Sequence, residues 1–407
     1  MTIEEALAYI HSRPKAGKKD SQARMAALLS ALENPEKRMP PVIHVTGTNG
    51  KGSVSTMLSS IGQADGLRVG LFTSPYIVSF NDRFQINGQD IDDERLARYT
   101  KRVKEAVERV KEESKGTLAV TEFEVVTAIM FCYFSESQLD LAVVEVGIGG
   151  RFDSTNFMET TAVAVVTSVA LDHEQLLGNT IEAIAKQKAG IFVSGQPVVL
   201  GPALPEEALT VMKDECRSLA CPLLIASGQE PTFKSALQGS FQRENTQTAV
   251  LAYKTFRSSV SEQTIADGLQ KAFLPGRFEE VLAGVYLDGA HNPAGLQSLQ
   301  ESIHERFSDG ADLVIGALAD KHLERALSQL AKDPLLSLWS FDYQGLPGRP
   351  GMAFDHFAPE TKPIKSVEEA LQMKKKTKRP LIFTGSLYFI ADVRRQLCQM
   401  KKSSAQG

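Results

Sequence analysis

The sequence predicts an α/β protein of two domains, each organised around a mainly parallel sheet. Three observations carry this. Apolar runs of strand length alternate with helical periodicities along the whole chain, the pattern of repeated strand–helix units. Two of those runs, residues 139–146 and 162–169, are apolar and rich in β-branched residues, as in strands buried on both faces. Finally, Pro275 and Gly276 in the stretch AFLPGRFEEV interrupt the pattern, and the strand–loop–helix rhythm restarts beyond them. The expected division is therefore residues 1–276 and a smaller unit of residues 277–407. A chain of 407 residues is long enough for both to bury a core.

Taken in order, residues 41–46 read as a short apolar strand that runs into a glycine-rich loop. Residues 53–64 follow as a helix closed by Gly66, and residues 67–73 as a second strand. Val103, Val107 and Val110 fall on one face of an exposed helix. Past the boundary, residues 285–288 lead into GAHNP, residues 312–318 are apolar, and residues 380–384 lead into GSLYFIADV. A single short helical segment is expected ahead of the glycine loop. The basic run 374–379 reads as a solvated helix end, and no internal repeat is present.

Composition excludes several classes. A net charge of −4 is too small to draw nucleic acid or a membrane surface by electrostatics alone. The opening MTIEEALAYIHSR carries acidic residues where a signal peptide needs cations, and no uncharged apolar run reaches the length of a membrane span. Cys132, Cys216, Cys221 and Cys398 show no CxxC or ligand-like spacing, so reduced thiols in a cytoplasmic protein are expected.

The stretch IHVTGTNGKGSVSTML carries the first chemistry. A strand, a tight Gly-Thr-Asn-Gly-Lys-Gly turn and a helix turn backbone N–H groups toward phosphate. Lys51 adds a compact positive charge for the outer phosphates of a nucleotide. The spacing departs from the usual G-x-x-x-x-G-K-[ST] loop: Val45 stands at the first glycine and Gly52 at the metal-binding hydroxyl. A bound metal must then find its ligands elsewhere. In VVEVGIGGRFDSTN, Glu145 ends an apolar strand, where it either faces solvent or pairs with a cation. In SVALDHEQLLG, His173 follows another apolar strand and is expected on the strand edge next to that of Glu145, although a histidine so placed is more often structural. Lys188 falls on the helix that follows.

Together, in order, the motifs GTNGKGS, TSPY…FNDR, EVGIGGRFDSTN, LDHEQLLG, KAGIF, LPGRFE and DGAHNP cover nearly the whole chain. The chain resembles the folylpolyglutamate synthase/dihydrofolate synthase family of the Mur ligase superfamily. The resemblance implies an N-terminal P-loop-type Mur ligase ATPase domain and a smaller C-terminal Rossmann-like domain. It implies ATP held by Thr48, Asn49, Gly50, Lys51, Gly52, Ser53, Asn245, Arg277 and Asp288, with closure of the two domains completing the site. It implies Mg²⁺ on Ser74, Glu145 and His173, with Lys188 carbamylated so that it serves as an anion. It points to Thr121, Glu122, Phe123, Glu124, Phe152, Asp153 and Ser154 for the folate or dihydropteroate. Lys51, Lys188 and His291 take the catalytic positions, His291 near the phosphates and the incoming L-glutamate.

One departure is visible. Family members often carry a histidine ahead of that asparagine, in an HQxxNA pattern; here the stretch reads Phe241-Gln242-Arg243-Glu244-Asn245-Thr246. The implied reaction is ATP-dependent ligation of L-glutamate to a folate carboxylate through an acyl phosphate, in a cytoplasmic monomer. A cell-wall Mur ligase is disfavoured, because the loop begins near residue 47 and leaves no room for a UDP-binding domain. The remaining rival is a degenerate or non-folate amide ligase, or a nucleotide-binding protein. Ser74, Glu145, His173 and Lys188 argue against it, since a simple binder has little use for a multi-ligand metal site.

Overall fold

The computed structural model describes residues 1–15, 21–229, 232–321, 323–346 and 349–405. The chain forms two compact units: residues 1–76, 80–235 and 244–272 in one, and residues 77–79, 236–243 and 273–407 in the other.

The first unit is built on eight strands: β1 (Val42–Thr46), β2 (Val69–Phe72), β3 (Phe84–Ile86), β4 (Gln89–Asp90), β5 (Leu141–Glu145), β6 (Thr161–Val166), β7 (Val198–Leu200) and β8 (Leu223–Ile225). Their order is β4-β3-β2-β5-β1-β6-β7-β8, parallel from β2 to β8 with β3 and β4 antiparallel at one edge. β1 and β5 are buried along their whole length, as β-branched strands between helical layers must be. The predicted strands and helices recur with ends shifted by a few residues, and two expectations need correction. Two helices (Ile3–His11 and Ser21–Ala31) and a 3₁₀ turn precede the loop, not one segment. Their Ile10, Met25, Leu28 and Leu29 pack into the same apolar cluster as Phe72 and Val144. And β6, consecutive to β5 in sequence, is not its neighbour, because β1 inserts between them.

That order positions the site. Val45 of β1 pairs with Glu145 on one side and Val165 on the other. The loops leaving β5, β1 and β6 therefore emerge side by side at the carboxyl ends of three adjacent parallel strands, where open α/β sheets bind ligands.

The second unit carries β9 (Glu279–Leu282), β10 (Val285–Leu287), β11 (Ala311–Ile315), β12 (Leu336–Phe341), a hairpin of β13 (Gly345–Leu346) and β14 (Arg349–Pro350), β15 (Lys362–Ile364) and β16 (Leu381–Thr384). The six-stranded sheet runs β15-β12-β11-β16-β10-β9, parallel except for β9. The helix Val367–Thr377 ends in the basic run, where the Arg379 guanidinium turns inward to Ser337 and the Leu335 carbonyl and does not end in solvent. Among the described residues no helix is long and apolar enough to cross a membrane. All four cysteines are free thiols, and burial pushes Cys132 and Cys216 up to about 12.

Candidate active site

The glycine loop is tied to the loop after β6. The Thr48 N–H donates to the Ser168 carbonyl (2.9 Å), and the Thr48 hydroxyl accepts from the Ala170 N–H (3.0 Å). The Asn49 N–H donates to Ser168 Oγ (2.9 Å), while the Thr167 and Ser168 hydroxyls both donate to the Asn49 carbonyl. Two glycines are required by close approach. A β-carbon on Gly47 would lie 1.9 Å from Thr167 Oγ1. One on Gly50, which has φ +85° and caps the helix Lys51–Ala64, would lie 2.3 Å from Asn245 Oδ1. Asn245 thus stands directly against the turn. Thr48, Asn49, Gly50, Lys51, Gly52 and Ser53 form the loop and the first helical turn, with the Ser53 side chain buried. Lys51 Nζ folds back to donate to the carbonyls of Gly47 (3.0 Å) and Thr48 (3.3 Å), the position from which it can reach an incoming phosphate. Thr167 and Ser168 escaped the sequence reading; the signal was a pair of hydroxyls at the end of a β-branched run.

Ser74 and Glu145 are brought together because β2 and β5 are neighbours: the Ser74 N–H donates to Glu145 Oε2 at 3.2 Å. Glu145 is buried. Lys188, on the helix Ile181–Ala189, is also buried, and its pKa is driven well below the usual lysine range, first by burial and then by the nearby Lys51 charge. Asp172 pulls it back. His173 lies at the entrance of the short helix Glu174–Leu177 with its side chain 37% exposed; its N–H donates to Asp172 Oδ1 (2.9 Å). Among the described residues no three His, Cys, Asp or Glu side chains form a metal-holding group. Hydroxyl and carboxylate oxygens, with phosphates and waters completing the shell, are nevertheless the donors Mg²⁺ takes. The Ser74 hydroxyl and the Glu145 carboxylate are donors of that kind and fit that ion, whereas His173 is joined to Asp172.

Thr121 and Glu124 form a capping box at the start of the helix Glu122–Ser135. Glu124 also pairs with buried Arg24 (Nη2–Oε1 2.9 Å), a residue the sequence reading did not single out. Glu122 pairs with Lys15 and lies 3.4 Å from His11. The polar atoms of these three candidates are thus engaged in folding contacts. Phe123 is half-buried, tilted against Phe72 (centroids 6.3 Å apart) and pressed on Gly147, whereas Phe152 is 58% exposed. Asp153 and Ser154 are buried in the turn after the GIGG loop. Asp153 Oδ2 accepts the Ile148 N–H (2.9 Å), and burial raises the pKa of its carboxyl.

In the second unit, Asp288 follows β10 and is buried, accepting N–H bonds from Ala290 (2.9 Å) and Phe278 (3.0 Å). Burial lifts its pKa to about 6 against the pull of Arg277, whose Nη1 lies 2.2 Å from where a Gly289 β-carbon would stand. His291 Nδ1 is 2.7 Å from the Gly289 carbonyl. A carbonyl only accepts, so in the neutral ring Nδ1 carries the proton and Nε2 the lone pair. Asn292 caps the helix Pro293–Arg306. The half-buried Phe241 ring sits over Gly239.

No family model matches the sequence. Curated relatives do. The chain is 36% identical to the dihydrofolate synthase/folylpolyglutamate synthase of Bacillus subtilis, over 97% of this chain and 99% of that protein. It is also 36% identical to the folylpolyglutamate synthase of Lacticaseibacillus casei, over 98% and 99%. Among solved structures, an FPGS–AMPPCP–folate complex superposes with a TM-score of 0.84 at 35% identity, covering 98% of this chain and 100% of that one. E. coli FolC in complex with DHPP and ADP superposes with a TM-score of 0.85 at 28% identity, over 98% and 99%. Likeness of this extent, on a phosphate loop braced by the strand-end loops around it, decides the assignment: the chain belongs to the dihydrofolate synthase/folylpolyglutamate synthase family.

Proposed function

We propose that the protein is an ATP-dependent ligase that joins L-glutamate to a folate, and also to dihydropteroate. The observation that carries this is the juxtaposition at the carboxyl ends of β2, β5, β1 and β6: a phosphate loop with Lys51, a buried Glu145 that accepts from half-buried Ser74, and a buried Lys188 that feels the Lys51 charge. A phosphate loop alone would suit any nucleotide-binding protein. The buried carboxylate and amine beside it suit phosphoryl transfer.

In this reading the substrate carboxylate attacks the γ-phosphorus of ATP, ADP leaves, and an acyl phosphate forms. The loop amides and Lys51 offset charge on the transferring group, and Asn245 holds the nucleotide against Gly50. The glutamate amine then attacks the acyl carbon and phosphate departs, giving an amide. Arg277, Asp288 and His291 are assigned to ATP and the incoming glutamate; the lone pair on His291 Nε2 makes it the candidate acceptor of the amine proton. Mg²⁺, held by Ser74, Glu145 and His173, would supply Lewis-acid charge to the phosphates. Lys188 would join them as a carbamate: burial and the Lys51 charge lower its pKa and so favour the neutral amine, the form that adds CO₂. Phe123 and Phe152 would stack on the pterin ring, near Asp153 and Ser154, while Thr121, Glu122 and Glu124 shape that wall. We place the enzyme in the cytoplasm as a monomer.

Products of incubation with MgATP, L-glutamate and either dihydropteroate or tetrahydrofolate, read by mass spectrometry, test this. One glutamate added to dihydropteroate and further ones to tetrahydrofolate are expected. Growth of tetrahydrofolate alone would remove the dihydropteroate activity, and no product from either would return the chain to a nucleotide-binding role.

A further inference from the structure

The Asp153 carboxylate, assigned above to the pterin, is held by a buried chain that reaches into the centre of the sheet. Thr155, fully buried, donates both its N–H (3.0 Å) and its hydroxyl (2.6 Å) to Asp153 Oδ1. His44, 1% exposed in the middle of β1, places Nε2 2.9 Å from Thr155 Oγ1. The Thr155 hydroxyl has one proton, and it is donated to Asp153 Oδ1. The Thr155 oxygen must then accept from His44, which fixes the imidazole as the Nε2–H tautomer. Burial depresses the His44 pKa to about 3, so the ring stays neutral across the physiological range and acts as a fixed donor.

His44 is out of keeping with its strand. Its neighbours on β1 are Ile43 and Val45, and an aliphatic residue would fill the same place without the desolvation of an imidazole. What histidine adds there is the Nε2–Oγ1–Oδ1 chain. At the far end, Asp153 Oδ2 takes the Ile148 N–H, so the chain also pins the loop whose Gly147 carries the Phe123 ring.

We propose that His44 and Thr155 are positioning residues that fix the Asp153 carboxylate, and the loop bonded to it, for recognition of the pterin ring. The inference rests on the assignment of Asp153 to the pterin. Both side chains are buried, and neither lies on the nucleotide loop. Their removal should therefore act on one substrate and spare the other.

The test compares the KM for dihydropteroate with the KM for MgATP and with kcat in four variants. Thr155→Val keeps the shape and removes the hydroxyl; it should raise the dihydropteroate KM about tenfold, the scale of one lost hydrogen bond to a charged group. The KM for MgATP should stay within about twofold, as a general loss of structure would not allow. Thr155→Ser, which restores the hydroxyl, should return the dihydropteroate KM to near its starting value. His44→Phe should raise it by a smaller factor, and it carries the test if Thr155→Val does not fold. Asp153→Asn separates the two readings. If Asp153→Asn raises the dihydropteroate KM while Thr155→Val and His44→Phe leave it alone, the positioning proposal is overturned and the pterin contact stands. If Asp153→Asn has no effect either, both fall.

Discussion

Replacing Arg24 by methionine should destabilise the first unit by about 3–5 kcal/mol, the usual consequence of leaving one member of a buried ion pair unpartnered. The geometry is unusually complete. The two side chains are 6% and 2% exposed, Arg24 Nη2 meets Glu124 Oε1 at 2.9 Å, and Nε meets both carboxylate oxygens at 3.0 and 3.1 Å. Methionine fills most of the volume, so cavity formation adds little. What is left is a buried carboxylate that still accepts the Thr121 N–H at 2.7 Å. For a unit of this size each kcal/mol moves Tm by about 2–4 °C, so a fall on the order of 10 °C is expected. Far-UV circular dichroism is the right probe: the single tryptophan, Trp339, lies on β12 in the second unit and would report elsewhere. Arg24→Met combined with Glu124→Leu should recover most of the loss, since an apolar pair replaces an orphaned charge. A single variant that melts within about 2 °C of the parent would refute the reasoning. So would a double variant no more stable than the single one.

Three further outcomes follow from the same structure. Lys188→Ala should lower ligase turnover by at least about 100-fold, with nucleotide binding to the loop largely kept; unchanged turnover would remove Lys188 from the machinery. Gly50→Ala places a β-carbon at φ +85° and 2.3 Å from Asn245 Oδ1, so AMPPCP affinity measured by calorimetry should fall by about tenfold or more. Asp288 titrates near 6 when folded against 3.8 unfolded, so its ionisation disfavours the folded state. Its contribution is fully present below about pH 3.8 and is lost as pH rises through about 6, a loss of about 3 kcal/mol by linkage. Asp288→Asn should flatten the parent's stability profile over that window, and urea midpoints taken across it would show whether it does.

Much of the fold was legible because its signals are local. Strand-length β-branched runs, glycines after them and the return of helical periodicity are properties of a few adjacent residues, and they placed β1, β5, β6, β10 and β16 to within a few positions. The phosphate loop was legible for the same reason: strand, turn and helix are contiguous, and the need for glycine arises within the turn. The order of the motifs pointed to the family without any contact between them being known.

What could not be read was who stands beside whom. The order of strands in a parallel sheet is set by how crossover helices pack, not by order in the chain, so β1 came to lie between β5 and β6 and separated Glu145 from the strand before His173. Ser74 meets Glu145, Asn245 meets Gly50, and Arg24 meets Glu124 only because segments far apart in sequence share a layer. His44 is the clearest case. In the sequence it is a polar interruption of an apolar strand, and only folding brings Thr155 and Asp153 to it across the sheet. The sequence by itself determined which elements form and which chemistry the chain carries, because both depend on neighbours along the backbone. Tertiary structure alone decided the partners of each buried polar group, because a desolvated donor or acceptor takes whatever partner the packing of distant segments supplies.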